Sequence, residues 1–590
     1  MPTIQQENGI RTVKGLPARW AARAYKELHA AQEGAIGAMP ARYKQLSALL
    51  DEVTDAPLPL DATDAQICIL AERYANDCIS QAATIHDLKA LRARLAWMVT
   101  DRGMEVPDES DDKQFIYRCN DAGWWRKSLR RVHGRAFEHA AIRLGFVSVR
   151  AGAYCSDETV KRRLAQNRRN AKALDAMTMT NEDGQEFALS ALAAKSTSNK
   201  SIRRGELMLR MAGCEEVAAE MGHVGLFVTL TAPSKYHAVL AKSGTLNPKY
   251  NGATPREAQQ ALMDVWTSWR AKNSRDGVRP YGFRIAEPHH DGCPHWHVLM
   301  FVPADKVDRV TETLTAYALA EDGDEPGARA NRVKFVQIDP ALGTAAGYIA
   351  KYVGKNIDDA HVDAHRDDDG EVRTDMVGDE VIRPSQRVEA WAATWGIRQF
   401  QPMGQPPVTV WRELRRVQQE RIANAPAHVV QAWTACQRET ATDADGVVEV
   451  TKPADFAPYI RAQGGVNQGR AYRIAVAAPI KAVEGRYGLA DRPVPVGVYC
   501  RQAPDITYAS KRYTWRRTGA AVALRSPRSP VNNCTPAAAP FWEEGAPWPE
   551  KIPPHNDLAY YADCDFACFD KFGDFNPDLF IEIPHEERHQ

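Results

Sequence analysis

Two histidines and a glutamate lie close together in one short stretch of this sequence. His295 and His297 are two positions apart and follow Glu287. Side chains alternate along a strand, so both imidazoles would project from one face and could direct ring nitrogens at one ion. A hairpin turn at Asp291-Gly292 would bring Glu287 back beside His295, where its carboxylate becomes a plausible third ligand. The pattern predicts a divalent metal site.

Two imidazoles and one carboxylate would leave positions open on the ion for a phosphate oxygen and a water molecule. The ion would then polarise a phosphate and neutralise the charge that builds on it. The neighbouring His289 and His290 could replace Glu287, because spacing alone does not fix the register. An isolated His-x-His on a strand is more often two partly buried histidines. The glutamate, the hairpin and two later tyrosines favour the metal.

The two tyrosines lie four positions apart on a predicted helix. Asp339 and Pro340 are typical of a helix start, with a capping carboxylate and a proline whose missing N–H costs little there. Tyr348, Lys351, Tyr352 and Lys355 would form one stripe on this helix. A phenol has an ordinary pKa of about 10, so it needs a metal, a base or a nearby cation to act as a nucleophile. Lys351 and Lys355 could supply positive charge and contact phosphate.

A second stripe on the same helix is apolar and could bury against a sheet; it comprises Leu342, Ala346, Ile349 and Val353. The alternative interpretation is an ordinary amphipathic helix with interfacial tyrosines and solvated lysines. Together with the histidines, however, two phenols favour catalysis. One tyrosine can carry a 5′ phosphate while the second attacks another phosphodiester, so that strands are cut and rejoined without added energy. The residues predict metal-assisted transfer of a DNA phosphodiester onto tyrosine.

The elements that must position these residues form an α+β block. Strands are predicted at 226–231, 281–287, 295–302 and 333–338, and helices at 251–269, 307–319 and from 340 onward. This order suits an antiparallel sheet with helices on one face. Helical patterning precedes the block, from about residue 16 to residue 221, and short β-like runs follow residue 424.

The charge of the chain is unevenly distributed. The 590 residues contain 75 Lys and Arg and 75 Asp and Glu, giving a formal net charge of zero. Basic clusters nevertheless concentrate between residues 124 and 210, and the tail after residue 541 is acidic. A basic middle can bind a polyanion locally in a neutral chain. Solvated helix faces would explain the same cations about equally well.

The eleven cysteines show no regular spacing, which indicates a reducing cytoplasm and free thiols, including those of Cys564 and Cys568. The sequence starts without the basic and apolar segments of an export signal, and no apolar run approaches the thickness of a bilayer. We therefore expect a soluble, non-exported protein.

Three segments, in this order, resemble the replication gene A endonucleases of tailed phages, a two-tyrosine group within the HUH superfamily of rolling-circle initiators. They are 227–234 (FVTLTAPS), 294–301 (PHWHVLMF) and 348–357 (YIAKYVGKNI). Residues 124–127, 395–402 and 406–414 also look like this family. The resemblance implies an HUH endonuclease core, of the ferredoxin-like or split βαβ type, with Mg²⁺ or Mn²⁺ as the ion. It further implies nicking of a double-stranded origin, 5′ covalent attachment, 3′ extension by a host polymerase, and a host helicase, in the cytoplasm of a bacterial host.

The expected organisation has six regions. They are a helical N-terminal region (1–110), a basic helical region with possible DNA contacts (111–221), the HUH core (222–360), a core-associated extension (361–424), a small mixed or β C-terminal domain (425–525), and a linker with an acidic tail (526–590). Two other functions stay open. A plasmid relaxase or single-strand transposase would use the same chemistry, and a non-catalytic DNA-binding scaffold would use the metal structurally.

Overall fold

The computed structural model describes residues 16–18, 20–22, 24–26, 48, 58–109, 111–341, 343–357, 382–442 and 448–518. The predicted linker and acidic tail, with Cys564 and Cys568, lie outside the described residues, as does Leu342 of the predicted apolar stripe. Within the described part the protein is mixed α/β, with antiparallel sheets. No helix in that part is both long enough and apolar enough to cross a bilayer.

The N-terminal part, as far as the structure describes it, is helical, as its periodicity predicts. Its helices are α1 (Asp64–Thr84), α2 (Leu88–Asp101), α3 (Asp112–Cys119) and α4 (Ala122–Arg143). They enclose a core of their own around Leu95, Phe115 and Trp125. The indole N–H of Trp125 donates to the carbonyl of Cys119 at 2.7 Å, which satisfies the one polar atom of a fully buried side chain.

The basic segment contains strands as well as helices, which corrects the prediction of continuous helix up to residue 221. Its elements are α5 (Asp157–Asp175), β1 (Thr178–Asn181), β2 (Glu186–Ala188), α6 (Leu189–Ala194) and α7 (Lys200–Glu220). The Asn181 side chain accepts from the backbone N–H of Gln185 at 2.8 Å, and Gly184 takes φ 77°. These turn residues reverse the chain and form a hairpin.

A five-stranded antiparallel sheet forms the centre of the molecule. Its strands are β3 (His223–Thr231), β4 (Tyr281–Pro288), β5 (Pro294–Pro303), β6 (Val333–Gln337) and β7 (Phe400–Met403), in the order β6-β3-β5-β4-β7. The first four match the predicted strands. The edge strand β7 comes from the predicted core-associated extension and was not anticipated as a strand.

Helices cover both faces of this sheet, so the prediction of one covered face is wrong. The helices are α8 (Pro255–Arg275), α9 (Val307–Ala318), α10 (Ala328–Asn331), α11 (Ala345–Ile357) and α12 (Pro384–Trp395). Trp296 of β5 packs with α8, α9 and α12 in one core, while Leu299 packs with α7 and α11 in another. Because β5 is apolar on both sides, each face must be buried.

The described residues from 408 onward form both helices and strands. They contain α13 (Val408–Leu414), α14 (Gln419–Ile422), α15 (Ala427–Cys436), β8 (Glu439–Thr442), β9 (Val448–Lys452), α16 (Phe456–Ala462), β10 (Ile474–Ala477), β11 (Ile480–Gly485), β12 (Gly488–Pro493), β13 (Gly497–Cys500), β14 (Ala503–Ala509) and β15 (Trp515–Arg517). Phe456 and Ile460 of α16 join the same core as Leu299. Strand β15 pairs with β1 at the edge of a small sheet.

Candidate metal centre and tyrosine helix

The hairpin of β4 and β5 fixes which side chains face one another. Glu287 lies directly opposite His295, and Ile285 lies opposite His297. Between the strands, Gly292 takes φ 82°, a conformation that glycine adopts without strain. The Asp291 carboxylate accepts from the backbone N–H of Cys293 at 3.2 Å, which closes the turn. The register left open by the sequence is therefore the one that places a carboxylate beside the imidazoles.

Glu287, His295 and His297 form a compact group of potential ligands. Their oxygen and nitrogen atoms all lie within 4.8 Å of one another. The two Nε2 atoms are 3.0 Å apart, and Nε2 of His297 lies 3.9 Å from Oε2 of Glu287. Two nitrogens at that separation can both reach one ion at ordinary bond lengths of about 2.1 Å. The donor set of two imidazoles and one carboxylate fits a divalent cation with open positions.

The surroundings orient these potential ligands. Thr229 on β3 pairs with Nδ1 of His297 through its hydroxyl at 3.2 Å, which leaves Nε2 directed toward the group. Glu287 is 1% exposed, and it accepts a hydrogen bond from the side-chain amide of Asn356. A carboxylate with so little contact with water gains strongly from a bound cation, because burial alone disfavours its charged form.

The alternative ligands have other partners. Nε2 of His290 pairs with the carbonyl oxygen of Val239 at 3.1 Å. His289 stacks obliquely on His295, with ring centroids 4.4 Å apart. Neither histidine belongs to the group of ligand atoms that the described residues bring together. The geometry favours Glu287 as the third ligand.

The tyrosine helix α11 begins later than its sequence predicts. Asp339 accepts from the N–H of Ala341 at 2.9 Å and so stabilises a turn, not the helix start. The helix begins at Ala345, and its first N–H groups donate to the carboxylate of Glu215 on α7, at 2.6 Å from Ala345 and 3.1 Å from Ala346. The predicted cap was wrong because a carboxylate distant in sequence satisfies these donors instead.

Helix α11 brings one of the two predicted nucleophiles to the histidines. The ring of Tyr352 lies 4.3 Å from that of His297 and 5.3 Å from that of Phe227, centroid to centroid. Ile349 and Val353 are fully buried on the sheet side of the helix, which confirms part of the predicted apolar stripe. Tyrosine and histidine thus meet across the interface between helix and sheet.

The other three members of the predicted tyrosine and lysine stripe are only partly described. The backbones of Tyr348, Lys351 and Lys355 lie in α11, and their side chains lie outside the described part of the structure. Their contacts with phosphate therefore stay predictions.

Sequence reasoning missed Asn356 and Thr229. Asn356 is 4% exposed and lies one helical turn beyond Tyr352, so helical spacing could have placed it beside the site. Thr229 is opposite His297 in the register of β3 and β5, which the sequence of either strand alone does not reveal.

Several cations of the basic segment contact other parts of the protein. Arg130 makes two 2.8 Å hydrogen bonds to Asp64, and the guanidinium of Arg162 lies 3.8 Å from the ring centroid of Phe137. Arg163 and Lys200 both pair with Glu389 on α12, at 3.1 and 2.6 Å. Burial alone would raise the pKa of Glu389, but Lys200 and Arg163 outweigh it and lower the pKa to about 2. At least these cations have a structural role.

Comparison with known proteins identifies the family. The family model for bacteriophage replication gene A protein matches residues 66–360, half of the chain. The replication gene A protein of Escherichia phage 186 is 40% identical over 426 residues, covering 69% of this chain and 58% of the relative. That of Escherichia phage P2 is 34% identical over 445 residues, covering 71% and 55%. A probable replication endonuclease from a prophage-like region of Salmonella typhimurium is 31% identical over 437 residues, covering 70% and 50%.

The chain spans about half the length of these curated relatives. No solved structure matches it. The matched range contains the ligand group and the tyrosine helix described above. This chain belongs to the bacteriophage replication gene A protein family.

Proposed function

We propose that this protein is a site-specific DNA endonuclease and strand-transferase of the HUH type that nicks a replication origin and so initiates rolling-circle replication of phage DNA. The observation that carries the proposal is the contact between Tyr352 and His297, beside Glu287 and His295. Metal-assisted attack by tyrosine requires a phenol beside the metal ligands, and this helix–sheet interface brings Tyr352 and the ligand group together. The endonuclease names of relatives add support.

In the proposed reaction a tyrosine phenol oxygen attacks the scissile phosphorus, and the bond from phosphorus to the 3′ oxygen breaks. The phenol loses its proton and the departing 3′ oxygen gains one, which leaves a tyrosine-5′-phosphate ester and a free 3′ hydroxyl. Magnesium or manganese bound by Glu287, His295 and His297 would supply charge neutralisation at the phosphate. Helix α11 holds the phenols in place, which lowers the entropy cost of reaching the transition state.

The two tyrosines would divide the work. After Tyr348 or Tyr352 has formed the first ester, the other attacks a second phosphodiester, and the chain can cut and rejoin strands in succession. Lys351 and Lys355, from the same helix, would contact phosphate. A host polymerase would extend the 3′ hydroxyl, and a host helicase would open the duplex. The same chemistry on a plasmid or a transposon end is the alternative among enzymes.

A covalent adduct tests the proposal. The protein is incubated with Mg²⁺ and labelled single strands that tile the origin region of the parent replicon, and the products are separated under denaturing conditions. We expect an adduct that survives denaturation, disappears in the double variant Tyr348→Phe/Tyr352→Phe and persists in Tyr117→Phe, a change at an exposed tyrosine on α3. Absence of an adduct with every tiled strand would overturn the proposal and leave a DNA-binding scaffold with a structural metal.

A further inference from the structure

Asn356 is a buried amide between the tyrosine helix and the ligand group. It is 4% exposed. Its Nδ2 donates to Oε1 of Glu287 and also to the backbone carbonyl of Tyr352, one turn earlier on α11. Its side-chain oxygen accepts from Nε2 of Gln399, just before β7, at 3.4 Å. A primary amide has two N–H donors, so both are committed.

Each of these contacts has a consequence for the site. The hydrogen bond to Oε1 fixes the rotation of the Glu287 carboxylate, and Oε2 then faces His297 at 3.9 Å. The hydrogen bond to the Tyr352 carbonyl ties the same amide to the backbone of a candidate nucleophile. One side chain therefore connects the acid that would bind the metal with the helix turn that carries the phenol.

We propose that Asn356 is a positioning residue that sets the distance between the bound metal and Tyr352. The inference rests on the proposed function, since it concerns the same metal and the same nucleophile. Asparagine suits this place for chemical reasons. An aspartate has no N–H to donate and would add a negative charge beside Glu287, and an alanine would leave both acceptors without this donor.

A second buried asparagine offers a matched control. Asn273 on α8 is 1% exposed, and its Nδ2 likewise donates to the carbonyl one turn earlier, that of Trp269, at 2.9 Å. Its other contact is the hydroxyl of Thr313 at 3.4 Å. Asn273 belongs to the helices on the opposite face of the sheet, away from the ligand group. It reproduces the burial and the helical hydrogen bond of Asn356 without the contact to Glu287.

The experiment compares Asn356→Ala and Asn273→Ala in the full chain. Three quantities are measured: the melting temperature, the affinity for Mn²⁺ without DNA by calorimetry, and the rate of adduct formation at saturating Mn²⁺. Loss of a residue that orients a metal ligand typically lowers affinity or activity about 10-fold to 100-fold. We expect Asn356→Ala to bind Mn²⁺ about 10-fold more weakly and to form adduct at least about 10-fold more slowly. Asn273→Ala should lower the melting temperature only.

The Glu287→Gln background sharpens the test. If Asn356 acts on the metal through Glu287, adding Asn356→Ala to Glu287→Gln should weaken Mn²⁺ binding less than it does in the wild type. Should Asn356→Ala fail to fold, Asn356→Asp preserves the size of the side chain, and its adduct rate at saturating Mn²⁺ should still fall about 10-fold. Equal Mn²⁺ affinity and equal adduct rate in wild type and Asn356 variants would overturn this inference alone. A wild type that neither binds Mn²⁺ nor forms adduct would instead overturn the proposed function.

Discussion

Two carboxylates of this protein each lie where a helix packs against another element, but they have different kinds of partner. Glu389 accepts hydrogen bonds from Arg163 at 3.1 Å, from Lys200 at 2.6 Å and from Asn167 at 2.7 Å. Glu287 instead lies within 4.8 Å of two imidazole nitrogens and accepts from the amide of Asn356. Guanidinium and ammonium groups have N–H donors and no lone pair to offer a metal, whereas a neutral imidazole has one.

The difference separates a structural ion cluster from a candidate reaction centre. At Glu389 two permanent cations of the same chain balance the negative charge, so the folded protein itself stabilises the carboxylate. At Glu287 the neighbouring histidines can share an incoming cation with the acid, because all three can be ligands of one ion. The type of the neighbours therefore says more about function than the burial of the acid does.

The largest expected effect of a mutation tests the centre at Glu287. The double variant His295→Ala/His297→Ala removes two of three ligands, so Mn²⁺ binding should become undetectable by calorimetry. The adduct rate should fall at least about 100-fold, since a bound metal contributes several kcal/mol to transition-state stability. The control is Glu389→Gln, which should retain both Mn²⁺ binding and adduct formation. Weak metal binding in Glu389→Gln and normal binding in the histidine variant would reverse the assignment of the two acids.

The two acids also differ in how far they could be predicted from the sequence. The hairpin that joins Glu287 to His295 is local, and both strand alternation and the Asp291-Gly292 turn can be read directly from the chain. The partners of Glu389 are 226 positions away for Arg163 and 189 for Lys200, so no local pattern could pair them. From the sequence alone, a DNA contact and a solvated helix face explain Arg163 about equally well.

The same limit explains the errors in the fold. The sequence predicts a start of α11 at Asp339, and this is wrong because the capping carboxylate, Glu215, comes from a distant helix that gives no local signal. One covered face was predicted for the sheet, although β5 has apolar side chains on both sides, Trp296 and Val298 on one and Leu299 and Phe301 on the other. A strand that is apolar on both sides predicts burial of both faces of the sheet, and this pattern is present in the sequence of β5.

A smaller effect concerns the stability that Glu389 provides. Its pKa is lowered from 4.5 to about 2, so its contribution is fully present above pH 4.5 and is lost as the pH falls toward 2. Glu389→Gln removes the charge but retains the shape, and should cost about 2 kcal/mol at pH 7 after allowance for partial solvent exposure. Urea unfolding followed from pH 7 to pH 3 should show the midpoints of wild type and Glu389→Gln converging below pH 4.5. A difference that stays constant over this range would contradict the ion cluster.

The smallest expected effect distinguishes the two cations beside Glu389 and tests whether Arg163 also contacts DNA. The side chain of Arg163 is 13% exposed and that of Lys200 is 48% exposed. Because water screens the exposed partner, Lys200→Met should cost less than about 1 kcal/mol and Arg163→Met somewhat more. Removing a cation that contacts a phosphate reduces the slope of log affinity against log salt concentration by about one unit.

Arg163 is engaged by Glu389, so Arg163→Met should leave that slope unchanged when single-strand affinity is measured over a series of salt concentrations. A decrease of about one unit would show that Arg163 leaves Glu389 when DNA binds. In that case Glu389 would hold Arg163 only until DNA binds, and it would serve DNA binding as well as stability. The two acids would then differ only in the type of group that they bind.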